Sequence, residues 1–280
     1  MKISTFYHIY YKHRFAKSGV LLRIYLLLVF PIRFIIYIIF LKKKINLDYL
    51  AVNSPILFNQ NLSYLFEYFN SDKGIFFLNQ YTKSWKKEKI RGHEYSIFYE
   101  RYFKDIKYNQ MNILELGSFK GNAAAALSFF FKNSKIYTGD LYPDIFNFLS
   151  SRISNFKVDT SSEYSIENAI IKKNLEYDII IEDAGHFLKD QIISLFLLFK
   201  KLKPKGFFIV EELDFPDTRK DMNIYNEKST LKVILNAIIN KQDFYSRYIS
   251  NIDKEYFLNN FDFIRIHKGR VNEIAFIKKK

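Results

Sequence analysis

The sequence predicts an α/β fold: a mostly parallel, seven-stranded sheet that ends in an antiparallel hairpin and carries a helical N-terminal extension. Three observations predict it. From Met111 onward, short apolar runs alternate with longer helical stretches, the pattern of strands joined by crossover helices. Two of those runs, Ile179-Ile180-Ile181 and Phe207-Phe208-Ile209-Val210, are apolar without alternation, as strands covered on both faces are. The last two runs, 261–267 and 272–278, are joined by Lys268-Gly269-Arg270 and read as an antiparallel hairpin closing the sheet.

Residues 1–47 form a first segment, basic and apolar at once. The chain has 280 residues and a formal net charge of +14, which at first suggests a nucleic-acid partner. The position of the charge argues against one. No Asp or Glu precedes Asp48, while nine Lys or Arg do, and the rest of the chain carries 34 bases against 29 acids. Residues 21–41, LLRIYLLLVFPIRFIIYIIFL, are long enough to cross a bilayer, but Arg33 lies well inside the run and Pro31 should kink it. Bases flank the run on both sides and give no orientation signal. No small-residue cleavage site follows, which argues against a cleaved signal peptide. The segment reads as a membrane-surface helix pair or re-entrant anchor, with residues 12–44 attracted to anionic lipid. The alternative is a buried helix packing on the rest of the chain or on a second copy in a homo-oligomer. The expected location is the cytoplasm, peripheral at the inner face of a membrane. Cysteine is absent, which excludes disulfides and thiolate metal sites.

Residues 48–110 read as a helical lead-in or lid. They carry Ser71-Asp72-Lys73-Gly74, a polar loop with Trp85, and apolar positions at Tyr95, Phe98, Tyr99, Tyr102 and Phe103 that recur with helical period. Residues 111–280 form the third unit, with strands expected at 112–116, 135–139, 155–158, 177–182 and 206–211 before the hairpin. The stretch Leu202 to Gly206 reads as a turn, and 214–258 as a helical excursion suited to a substrate-facing lid.

The most informative stretch is Met111 to Asp144. An apolar strand ends in Glu115-Leu116-Gly117, Ser118 follows, and Gly121-Asn122 opens an alanine-rich helix; the next strand stops at Gly139-Asp140. This is the order of a half-site for an adenosine cofactor. Gly117 and Gly121 let backbone approach a ligand, the helix starting at Asn122 offers free N–H groups, and Asp140 can accept from both ribose hydroxyls. The order alone leaves a nicotinamide dinucleotide and S-adenosylmethionine both standing. The loop lacks the three-glycine dinucleotide form, and Glu115 would repel a pyrophosphate but tolerate a sulfonium.

Two later strand ends carry acids: Glu182-Asp183-Ala184-Gly185-His186 and Glu211-Glu212. In an open parallel sheet these ends meet in one crevice, and three carboxylates there call for a cation. Asp183, Glu211 and Glu212 are therefore candidate ligands of Mg²⁺ or Mn²⁺. His186 should face the same crevice, and Glu182 should turn away from the cation toward cofactor or solvent. Taken singly, each acid also reads as a helix cap or a solvated loop residue, and His186 as a surface or capping residue.

With these residues in view, the chain from about Ser71 onward resembles the class I S-adenosylmethionine-dependent methyltransferases. It is most similar to the branch of sugar O-methyltransferases acting on macrolide and rhamnosyl glycosides. The resemblance rests on Ser71-Asp72-Lys73-Gly74, His93, Tyr95, Glu115-Leu116-Gly117, Asp140, Val158-Asp159, Asp183-x-x-His186 and Glu211-Glu212. It implies a Rossmann-like fold, Asp183, Glu211 and Glu212 as Mg²⁺ ligands and His186 as general base. It also implies Asp159 near the adenine, Glu115 near the methionine moiety, and a sugar or glycan acceptor. The chain departs from the branch in having Glu182-Asp183-Ala184-Gly185-His186 for Asp-Asp-Gly-Ser-His and Glu211-Glu212 for Glu-Asp. A metal-independent methyltransferase of small molecules or lipids, a nicotinamide-dependent sugar dehydrogenase, and an adaptor without chemistry are the alternatives.

Overall fold

The computed structural model describes residues 1–39, 44–79 and 88–280. Trp85 with its polar loop, residues 40–41 of the apolar run, and Lys42 and Lys43 lie outside the described residues.

The N-terminus is a helical hairpin. A first helical segment, 3–16, widens to π winding over His8–Lys12, and the chain turns at residues 17–19 before α1 (Val20–Ile39). α1 stays helical through Pro31, where the sequence suggested a kink. Proline removes one helical hydrogen bond, but Phe30, Phe34 and Tyr37 pack on the ring of Phe6 and clamp the helix on both sides of the lesion. The break falls instead at Ser18-Gly19, where a glycine ends the run of side chains.

The lead-in follows: helices Leu47–Asn53 and Leu62–Tyr68, a two-stranded ribbon of Phe76–Leu78 and Lys89–Arg91, and α2 (Ser96–Phe103). The central sheet then contains β1 (Asn112–Leu116), β2 (Lys135–Asp140), β3 (Ile153–Lys157), β4 (Tyr177–Glu182), β5 (Leu202–Val210), β6 (Phe261–Lys268) and β7 (Glu273–Lys279). Its order is β6-β7-β5-β4-β1-β2-β3, parallel except for β7, which runs antiparallel to both neighbours. The expected sheet and hairpin are thus present. β5 starts at Leu202, where the sequence suggested a turn. The strand tolerates Pro204 because its register with β4 slips there, with Lys205 in the left-handed region at φ 65°.

Successive residues of the inner strands feed two cores, the consequence of a period of two on a sheet covered on both sides. Ile113, Ile179, Ile181, Ile209 and Phe276 pack against the lead-in and α3 (Asn122–Phe130). Leu114, Ile180, Phe208, Val210 and Ile277 pack against α4 (Leu188–Leu198), α5 (Leu231–Ile239) and α6 (Asn251–Asn260). Within 214–258, α5 and α6 therefore belong to a core layer, and the segment 215–225 with Tyr248 faces the cavity described next.

Candidate active site

The carboxyl ends of β1 to β5 border a cavity of about 1060 Å³. Its first half is the glycine loop. Gly117 has φ 86°, and a Cβ there would stand 1.9 Å from the Asp183 carbonyl oxygen, so only glycine lets the ends of β1 and β4 close up. Gly121 has φ 83° and lies against the ring of Phe146. Asp140 accepts the N–H of Phe119 and that of Tyr142, both at 2.7 Å, leaving one lone pair on each oxygen. Ser118, Asn122 and Asp159 line the same half; Asn122 donates to the Asn70 carbonyl at 2.8 Å, and Asp159 accepts from Ser161 at 2.6 Å. Among the described residues, Ser118 Oγ and Glu115 Oε2 are buried without a partner.

The second half is a network of charges. Lys73 Nζ is buried between Asp183 and Glu211, with Glu115 at 4.0 Å. Glu211 also accepts from the Tyr99 hydroxyl at 2.5 Å. Glu212 is the next residue, yet it reaches the same crevice because its φ of 46° breaks the alternation of a strand. Gln191 Nε2 supports that bend by donating to the Glu212 carbonyl at 3.2 Å. Glu212 meets two imidazoles, His93 Nε2 at 3.2 Å and His186 Nε2 at 3.1 Å, and His186 Nε2 lies 3.9 Å from Asp183. His186 is itself left-handed at φ 56°. Non-glycine residues in that region concentrate where the surrounding structure enforces an arrangement.

The structure thus brings Asp183, His186 and Glu212 together, with ligand atoms all within 4.8 Å of one another. It turns Glu211, expected beside them, onto Lys73 and Tyr99. Glu182 is fully buried beneath the crevice and is not among the residues lining the cavity; among the described residues it accepts the Ala184 N–H at 3.3 Å. Sequence reasoning quoted Lys73 and His93 within motifs but gave neither a role. Asp183 and Glu211 for Lys73, and Glu212 for His93, lie more than a hundred residues away in the chain, and no local spacing encodes such a contact.

Burial dominates the electrostatics. It pushes Glu115 up to about 7 and Glu182 and Glu212 up to about 8, and raises Asp183 well above the ordinary carboxyl range. Burial, then the charge of Lys73, lowers His186 to about 3, so its imidazole is neutral at physiological pH. Crowded carboxyls that resist ionisation, beside a neutral imidazole, are a donor set suited to a divalent cation. A pH dependence follows. Glu115 and Glu182 hold protons in the folded chain up to about 7 and 8, but release them near 4.3 when unfolded. The folded state therefore binds more protons across that window, and stability falls as pH rises through it. In chelator, the melting temperature should drop from about pH 5.5 to about pH 8.5; a level or rising profile would mean that these carboxyls are charged in the fold.

No family model matches the chain. Mycinamicin VI 2''-O-methyltransferase of Micromonospora griseorubida is 24% identical over 128 residues, covering 43% of this chain and 32% of that one. The MycE methyltransferase structure in complex with Mg, SAH and mycinamycin VI superposes with a TM-score of 0.59 at 19% identity, over 79% of this chain and 54% of that chain. A second MycE crystal form, with Mg and SAH, gives a TM-score of 0.57 at 20% identity. The chain spans about a third of the length of the curated relative and about half of the solved chain. At these identities the likeness establishes architecture: the chain has the class I methyltransferase fold.

Proposed function

We propose that this chain transfers the methyl group of S-adenosylmethionine to a hydroxyl of a sugar or glycan, with a divalent cation and a histidine base. The observation that carries the reading is one cavity holding both halves: a glycine loop with Glu115 and Asp140, and the cluster of Asp183, His186 and Glu212. Support also comes from the relatives, one acting on a 2''-oxygen of mycinamicin VI and the other solved with Mg and SAH.

Glu115, unpartnered at one oxygen, faces the position of a cationic donor, and the free lone pairs of Asp140 suit two ribose hydroxyls. Asp159, which lines the same half of the cavity, would border the adenine. Asp183 and Glu212 would hold Mg²⁺ or Mn²⁺, which when bound lowers the pKa of an acceptor hydroxyl. His186 Nε2, neutral in the fold, takes the hydroxyl proton. Lys73 keeps Glu211 and Asp183 in place from the closed side of the crevice.

A second reading follows from the 4.8 Å cluster: His186 ligates the cation, and His93, equally close to Glu212, is the base. One variant separates the two. With His186 as base, His186→Ala should lower turnover by about 100-fold or more and leave Mg²⁺ affinity unchanged by calorimetry. With His186 as ligand, Mg²⁺ affinity falls as well. The parent experiment is methyl transfer from labelled S-adenosylmethionine to glycosides and lipid-linked sugars, with and without chelator. Transfer that stops in chelator and returns with Mg²⁺ is expected. Full turnover in excess chelator would remove the cation, and calorimetric binding of NAD in place of S-adenosylmethionine would overturn the reading.

A further inference from the structure

The N-terminal hairpin presents a face that no described residue covers. α1 turns one stripe, Leu26, Phe30, Phe34 and Tyr37, onto Phe6 and Tyr11 of the first helical segment. The opposite face carries Leu21, Tyr25, Leu28, Ile32, Ile35 and Ile39, each between 52% and 85% exposed. At about 100° per residue, Arg23 and Arg33 both fall within about 60° of the packed stripe, so the outer face holds no charge. Arg23 is tied down there, donating to the Phe15 carbonyl at 3.1 Å and the Ala16 carbonyl at 3.2 Å.

We propose that this hairpin docks on an anionic bilayer surface, with the outer face of α1 in the headgroup–acyl boundary. An uncharged face on a helix of 20 residues, with basic groups at its sides and ends, is what such a surface binds. Nine Lys or Arg and no acid before Asp48 give the matching charge, and the same count disfavours a second copy of this segment as the occupant. A span is disfavoured by geometry. Tyr11 lies against Phe30, so an upright α1 would draw the neighbouring Lys12 to hydrocarbon depth. The hairpin is also fastened to the catalytic domain: Lys2 N–H donates to Asp144 at 2.5 Å, Thr5 Oγ1 donates to it at 2.9 Å, and His8 lies 5.8 Å from the ring of Tyr142. Leu141, beside that contact, lines the cavity. Docking would therefore hold one wall of the cavity next to lipid.

The test is flotation of the full chain with phosphatidylcholine vesicles, plain or containing about 30% phosphatidylglycerol, at about 0.1 M and about 1 M salt. Recovery with anionic vesicles is expected, at least about tenfold above plain vesicles, and reduced at high salt. Leu21→Asp/Leu28→Asp should lower it by about tenfold or more. Should that variant unfold, Lys12→Glu/Lys17→Glu leaves the apolar face intact and should lose the preference for anionic vesicles. Equal recovery from both vesicle types, or undiminished binding by either variant, would overturn the proposal. So would a soluble dimer that Leu21→Asp/Leu28→Asp splits, which would make the face an interface between copies. The readout is lipid binding, and it stands apart from methyl transfer.

Discussion

Gly117→Ala should abolish binding of S-adenosylmethionine and lower the melting temperature by roughly 5–15 °C. The added methyl would sit 1.9 Å from the Asp183 carbonyl oxygen, a distance no side-chain rotation relieves because both atoms are set by backbone. The residue would also keep a φ of 86°, which alanine adopts only at a cost of about 1–3 kcal/mol. To fit, the tip of β1 must part from β4, and the Asp183 N–H to Leu116 carbonyl bond at 3.0 Å is lost. Together the overpacking and the strain should cost about 2–5 kcal/mol. Calorimetry with the donor and a thermal melt check the two halves. Gly121→Ala is the comparison: it shares the left-handed strain at φ 83°, but the nearest atoms to its Cβ are ring atoms of Phe146, a side chain that can turn aside, and its effect should be smaller. Wild-type affinity and melting in Gly117→Ala would mean that the loop closes differently.

Lys73→Met should destabilise the chain by about 3–5 kcal/mol at neutral pH. Burial opposes the charge of Lys73, but Asp183 and Glu211 outweigh it and hold the amine protonated well above its ordinary range. Without the ammonium, those carboxylates are buried with no counter-charge. Asp183, whose carboxyl burial already raises well above its ordinary range, can escape by taking up a proton, so the loss should shrink toward about pH 5.5. The second readout is the cation. With Lys73 gone, Asp183 and Glu211 are both free to ligate, and added Mg²⁺ should raise the melting temperature of the variant by more than that of the parent. Urea titrations at two pH values and melts with and without Mg²⁺ decide it. An unchanged melt with an unchanged Mg²⁺ response would show that the ion pair contributes nothing.

Much of this architecture was legible in the chain. The strand ends could be read because each buried strand is a short apolar run with a candidate acid at or near its carboxyl end: Glu115 within β1, Asp140 closing β2, Asp183 after β4. Which acid meets which partner was not legible. Glu211 and Glu212 are adjacent and alike, and only the left-handed turn at Glu212 sends one to Lys73 and the other to two histidines. That turn depends on Gln191 of α4, a contact between elements. The N-terminus has the same limit: that Phe30, Phe34 and Tyr37, on either side of Pro31, pack on the ring of Phe6 is a contact between elements.

The reach of Lys73 also sets an order of events during synthesis. Its partners Asp183 and Glu211 lie 110 and 138 residues later in the chain. At about 5–20 residues per second, Glu211 leaves the ribosome roughly 7–30 s after Lys73. Until then the lead-in carries a lysine that lacks the full set of carboxylates enclosing it in the fold. The crevice of Asp183, His186 and Glu212 is therefore among the last parts of the molecule to close. A chain stalled before β5 would hold its glycine loop and lack the lock that joins the loop to the crevice.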